Sequence, residues 1–111
     1  MSARLPTKLR VSALIRAAQA AGDFATVIKK GDETAGQLLL LARQRNGVIQ
    51  VYSRTMNSSG DYSWTIAAAA EAGDERPVDD YLDRQKKYDP DLWIIELDTA
   101  NPERFVDDEL I

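Results

Sequence analysis

The sequence predicts an α+β fold: about five strands in a largely antiparallel sheet, with two helices, in a single domain. Three observations carry this. Two apolar runs within Gly36–Arg54 flank Asn46-Gly47, a dipeptide suited to a tight hairpin turn. Val11, Leu14, Ile15 and Ala18 recur at helical spacing, as do Val78, Tyr81, Leu82 and Gln85. The run LWIIEL at Leu92–Leu97 has strand length and strand composition.

The first helix is predicted near residues 8–21, with Thr7 as N-cap and Gly22 as its stop. Arg10, Arg16 and Gln19 fall off the apolar stripe, toward solvent. The region before Asp23 holds several arginines and no acid, which is the composition of a transit peptide. The helical stripe reads instead as folded structure, leaving residues 1–6 as a flexible leader.

The strands are predicted near 24–30, 37–44, 48–54, 62–68 and 92–97. Gly31–Gly36 makes a polar turn and Met56–Asp61 a loop. Trp64 and Ile66 share one side of their strand, and Ala67–Ala70 blurs its end because alanine favours helix. The second helix spans 77–87. Pro77 suits its first turn, acids crowd its start, and Arg84, Lys86 and Lys87 its end, as the helix dipole favours. Asp89-Pro90 terminates it. That helix permits the strands near 62–68 and 92–97 to run parallel. Beyond them Phe105 and Val106 are expected to dock, and 107–111 to form a flexible acidic tail.

A two-residue type I′ turn at Asn46-Gly47 fixes a register. Arg45 then pairs with Val48, Arg43 with Gln50, Leu41 with Tyr52 and Leu39 with Arg54, all on one mixed apolar and basic face. Leu40, Ala42, Ile49, Val51 and Ser53 fall on the other, a better core surface. Leu38–Leu41 is apolar enough to need cover on both sides. The second helix, the segment around Phe105 or another subunit would supply it. On the last strand Trp93, Ile95 and Leu97 point one way, and Leu92, Ile94 and Glu96 the other.

Composition excludes several chemistries. The chain has no cysteine and no histidine, so disulfides, thiolate metal sites and the usual general base are absent. A cysteine-free chain suits a reducing, cytoplasmic setting. No apolar run is long enough for a membrane helix. The net charge of −4 is split: residues 1–60 hold nine basic residues against three acids, and residues 61–111 five against fifteen.

Asp79 and Asp83, beside Asp80, stand one helical turn apart, and a metal-dependent hydrolase would use Asp79, Asp83 or Glu96. A solvated face favoured by the helix dipole is the better account of these aspartates. None of Ser12, Ser53, Ser58, Ser59 and Ser63 lies in a nucleophile elbow. Asp32 and Glu33, between Gly31 and Gly36, would repel a phosphate from that turn. An anionic ligand or nucleic acid would use Arg16, Arg43 and Arg54 with Arg45, Gln50 and Tyr52, although the acidic pI of about 4.8 disfavours nucleic acid.

The segments VSALIR (Val11–Arg16), AAGDFATVIKKGD (Ala20–Asp32) and DYLDRQKKYDPDLWIIELD (within Asp79–Asp98) resemble a family of short alphaproteobacterial proteins catalogued as domain of unknown function 1491. Asp-Pro-Asp-Leu-Trp is its most specific piece. The resemblance implies a one-domain cytosolic bacterial protein with residues 1–22 inside the fold, and it transfers no catalytic residue. The reading is therefore a non-enzymatic interaction or regulatory domain that self-associates, without catalytic residues, metal or cofactor. Arg43, Gln50, Tyr52, Arg54 and Arg16 are its expected ligand or partner face.

Overall fold

A computed structural model describes residues 5–56, 58–60 and 62–106. Its elements in chain order are α1 (Thr7–Ala20), β1 (Phe24–Lys29), β2 (Leu38–Arg43), β3 (Val48–Met56), β4 (Tyr62–Glu71), α2 (Arg76–Tyr88), β5 (Trp93–Asp98) and a final 3-10 turn at Pro102–Phe105. The acidic tail expected at 107–111, and most of the expected leader, lie outside the described residues.

The strands form one sheet in the order β1-β5-β2-β3-β4. Only β2 and β5 pair in parallel; the other three pairings are antiparallel. β4 and β5 do run in the same direction, but β3 and β2 lie between them. The crossover through α2 thus carries the chain past two strands.

The helices occupy opposite faces. Val11, Leu14 and Ala18 of α1 pack with Leu38, Leu40 and Trp93. Val78 and Leu82 of α2 pack with Leu39, Leu41 and Ile94. Leu38–Leu41 is buried on both sides, as its composition requires, and α2 covers Leu39 and Leu41. Phe105 docks on the α1 face instead. The helices are also offset: α1 lies over β1, whereas α2 lies over β3 and β4.

The hairpin departs from its predicted register by one residue. Leu41 pairs with Val51, and Arg43 with Ile49. The Gln44 carbonyl accepts from the Gly47 N–H at 3.0 Å, and Gln44 N–H donates to the Val48 carbonyl at 3.0 Å. Gly47 has φ +90°, and among the described residues no residue other than glycine has positive φ. Asn46 therefore cannot take its place in a type I′ turn, which needs two such positions. The loop has three residues, Arg45, Asn46 and Gly47, the other common hairpin geometry. A one-residue slip moves every side chain of one strand to the opposite face. Gln50, Tyr52 and Arg54 face α1, and Arg43 faces α2 with Leu39 and Leu41.

A bulge at Ala67 makes a similar change in β4, since Val51 pairs with Ala68 but Tyr52 with Ile66. Trp64 packs toward the α1 side and Ala68 and Ala70 toward α2. Pairing with β3 keeps the alanine run extended to Glu71, overriding its helical propensity.

Thr7 is not the N-cap but the first residue of α1, and it is buried. Its hydroxyl donates to the Gly36 carbonyl at 2.7 Å. The amides of Thr7 and Lys8 donate to the carbonyls of Thr34 and Glu33 at 3.1 and 2.9 Å. The β1–β2 loop thus caps the helix with its own backbone. At the other end Gly22 has φ +80°, and Asp23 N–H reaches back to the Ala18 carbonyl at 2.8 Å, a Schellman ending.

Candidate functional site

Arg43, Gln50, Tyr52, Arg54 and Arg16 do not form one surface. Arg43 joins α2 to the sheet: its Nε donates to Glu96 Oε1 at 2.6 Å and its Nη2 to Glu75 Oε1 at 2.9 Å. The hydrogen bonds to Glu75 and Glu96 raise the guanidinium's pKa further above its ordinary value. The same bond from Arg43 holds Glu75 below the usual carboxylate range. Arg43 is therefore placed as an anchor, with its donors directed into the protein.

Tyr52 is buried among the core residues on the α1 side, so it presents no stacking face to solvent. Burial, followed by the charge of Glu103, pushes its phenol up from the ordinary value. Its hydroxyl donates to Gln50 Oε1 at 3.1 Å, which also accepts from Gln44 Nε2 at 2.9 Å. Arg16 lies on the exposed side of α1.

Of the five, Arg54 borders a cleft beside α1. A cleft of about 470 Å³ opens between the start of α1, the Thr34–Leu38 stretch and β3. Arg10 and Arg54 stand on its wall with Thr34 and Gln37, and Leu5, Pro6 and Leu38 supply apolar surface. Arg10 had the look of a solvent residue because it falls off the α1 stripe. It is half-buried, since the loop that caps the helix rises beside it. Periodicity within one helix carries no signal for a wall built from residues 24 or more positions away.

The loop at the cleft is fixed by glycine. A Cβ on Gly31 or Gly36 would overlap the Asp91 carbonyl. Asp32 N–H donates to that carbonyl at 2.9 Å. The Trp93 indole N–H donates to the Asp32 carbonyl at 2.7 Å. Asp89-Pro90-Asp91-Leu92-Trp93 is thus the cradle of the β1–β2 loop.

The carboxylates weighed as metal ligands are dispersed. Asp79 and Asp83 are exposed on α2, with Asp83 3.4 Å from Lys86, and Glu96 is held by Arg43. Among the described residues no group of three His, Cys, Asp or Glu side chains is placed to hold a metal ion. Ser12 Oγ donates to the Lys8 carbonyl at 3.0 Å, within its own helix.

Another feature is the outer edge of β1, which has a strand on one side only. Phe24 is 72% exposed, Ile28 51% and Val27 41%. Phe24 and Thr26 share the face of Asp98 and Glu96, where α2 lies over the opposite half of the sheet. Ile28 sits at a bulge.

These features define a small three-layer α+β domain with a cleft at the start of α1 and an exposed apolar outer strand in β1. The chain belongs to the family described as protein of unknown function (DUF1491), whose family model matches residues 5–107. Three solved structures are similar. The crystal structure of a DUF1491 family protein from Caulobacter crescentus CB15 is 34% identical, with 87% of this chain and 90% of that one covered and a TM-score of 0.76. An NMR structure of a DUF1491 family protein from the same organism is 33% identical, covers 95% and 94%, and has a TM-score of 0.80. The solution structure of protein Atu0922 from A. tumefaciens is 33% identical, covers 87% of each chain, and has a TM-score of 0.73. Among curated proteins none matches the chain. No helix among the described residues is long and apolar enough to cross a membrane.

Proposed function

We propose that this is a non-enzymatic interaction domain that pairs with a second copy of itself through the outer edge of β1. The carrying observation is the exposure of Phe24, Val27 and Ile28 on a strand with an unpaired side. An open apolar edge favours association with another strand. The sheet interior does not drive the pairing, because helices cover both faces of β2. A cytoplasmic setting in a bacterium fits the cysteine-free composition and the bacterial relatives.

Light scattering and sedimentation on the purified chain test this reading. The expected result is a dimer that becomes a monomer in Phe24→Asp, with unchanged circular dichroism. A wild-type chain that stays monomeric at high concentration, or a Phe24→Asp chain that stays dimeric, would count decisively against it.

A further inference from the structure

The offset of the two helices leaves half of one sheet face open. α2 packs on β3 and β4, so beside it β1 and β5 carry no helix on that side among the described residues. Phe24, Thr26 and Asp98 lie exposed there, and Glu96 is half-buried. Two strands about 4.8 Å apart make a strip about 10 Å wide, the width of a helix. β1 and β5 have six residues each, about 20 Å of strand, and the 13 residues of α2 rise about 20 Å. The strip is the size of one more helix lying beside α2.

One end of this strip is both apolar and negative. Glu75 of α2 and Glu96 of β5 share a single guanidinium, that of Arg43. Asp79 follows Glu75 by one helical turn and so stands on the same side of α2. Asp98 follows Glu96 by two strand positions and so shares its face. Neither Asp79 nor Asp98 has an ion pair among the described residues. The cations toward the other end are engaged. Lys29 Nζ donates to the carbonyls of Pro90 and Leu92 at 2.7 and 2.9 Å, and Lys86 lies 3.4 Å from Asp83.

We propose that this strip docks a basic amphipathic helix of a partner protein, its apolar side on Phe24 and its Lys or Arg side chains toward Asp79 and Asp98. Apolar residues at helical spacing would cover Phe24 as Val78 and Leu82 cover Leu39 and Leu41. Charge sets the sign of the partner, because an acidic helix would meet like charge along both walls. The backbone sets its conformation. β5 is paired on both sides, by β1 and β2, so the face offers no ladder to an extended strand. A helix satisfies its own backbone and needs none. Self-association at the β1 edge uses the outer backbone of that strand, whereas the helix uses the sheet face, so the two readings stand or fall apart.

The test is an NMR titration of the full-length, 15N-labelled chain with a Leu/Lys peptide of about 14 residues patterned as an amphipathic helix. Its Leu/Glu counterpart and a Leu/Lys peptide alternating at strand period run in parallel. The Leu/Lys helix is expected to shift the amides of Phe24–Thr26 and Glu96–Asp98 saturably, and less tightly as salt rises. The other two peptides should bind at least about fivefold more weakly. Asp79→Lys and Asp98→Lys should each weaken the Leu/Lys helix at least about threefold with a dispersed spectrum, while Asp80→Lys, turned away from the strip, should not. Equal binding of the Leu/Glu peptide, tighter binding of the alternating peptide, shifts confined to another surface, or no saturable shift at millimolar peptide would each overturn the proposal. So would amides of Glu96 and Asp98 that change on dilution of the chain alone and cease to do so in Asp98→Lys, since a second copy would then fill the strip. The peptide arms use the wild-type chain and decide the matter even if a variant fails to fold.

Discussion

The Trp93 indole N–H donates to the carbonyl of Asp32 at 2.7 Å, and this bond couples the start of β5 to the loop that caps α1. Trp93 is itself buried, and its own amide donates to the Gln37 carbonyl at 2.8 Å. One residue therefore holds both ends of the loop. The Asp-Pro-Asp-Leu-Trp segment that carries the family resemblance is accounted for by this packing.

Trp93→Phe keeps an aromatic ring in the core and removes only the donor and some volume. The Asp32 carbonyl keeps the Gly36 N–H, which donates to it at 3.3 Å, so loss of the indole bond should cost about 0.5–1.5 kcal/mol in urea unfolding. Hydrogen exchange should rise first at Thr7 and Lys8, whose amides depend on the same loop. A variant as stable as wild type, with those amides equally protected, would show that the indole bond carries no weight.

Two glycines in this region should respond differently to alanine. Gly36→Ala drives a Cβ into the Asp91 carbonyl and the Trp93 ring, so backbone must move, at about 1–3 kcal/mol. Gly22→Ala meets nothing within 4 Å but holds φ at +80°, so its cost of about 1 kcal/mol is purely conformational. Amide shifts should spread to the cleft residues in the first variant and stay at the end of α1 in the second. The reverse distribution would contradict the packing of the loop on β5.

The hairpin geometry separates its two turn residues. Gly47, at φ +90°, should lose about 1–2 kcal/mol on change to alanine. Asn46→Ala should lose less, about 0.5–1 kcal/mol, because only the bond from Val48 N–H to Asn46 Oδ1, at 3.0 Å, is removed. A two-residue turn would strain both positions equally, so similar costs would restore the register predicted from sequence.

That register is where sequence reading stopped. Asn-Gly serves a two-residue turn and a three-residue loop alike, and nothing local distinguishes them. The strands and helices were legible because their apolar spacing is dictated by burial, as at Val11–Ala18 and Leu92–Leu97. The face of each hairpin side chain was not, because it depends on parity, and one extra loop residue inverts it. Arg43 and Arg54 were assigned together for that reason and lie on opposite faces. Arg10 was missed on different grounds. Its neighbours at the cleft come from the β1–β2 loop and from β3, and only tertiary packing assembles them.

Arg43 makes the stability of the fold depend on acid. Glu75 has its carboxyl lowered below the ordinary 4.5 by the bond from Arg43, so it binds protons less readily folded than unfolded. Its contribution is therefore complete above the unfolded value and disappears as pH falls through the lower, folded one. Glu33, lowered by Lys30 and Lys8, follows the same sign at the far end of the molecule. Arg43→Gln should thus be less stable than wild type at pH 7, and the gap should narrow as pH drops below about 4, while the acid response of Glu33 persists in both. Urea unfolding at pH 7, 5 and 3 on both chains measures the gap directly. Arg43 stays charged throughout, so only its carboxylate partners can change the gap. A difference that stays constant down to pH 3 would mean that Arg43 stabilises the junction of α2 and the sheet through packing of its aliphatic stem, not through its carboxylate partners.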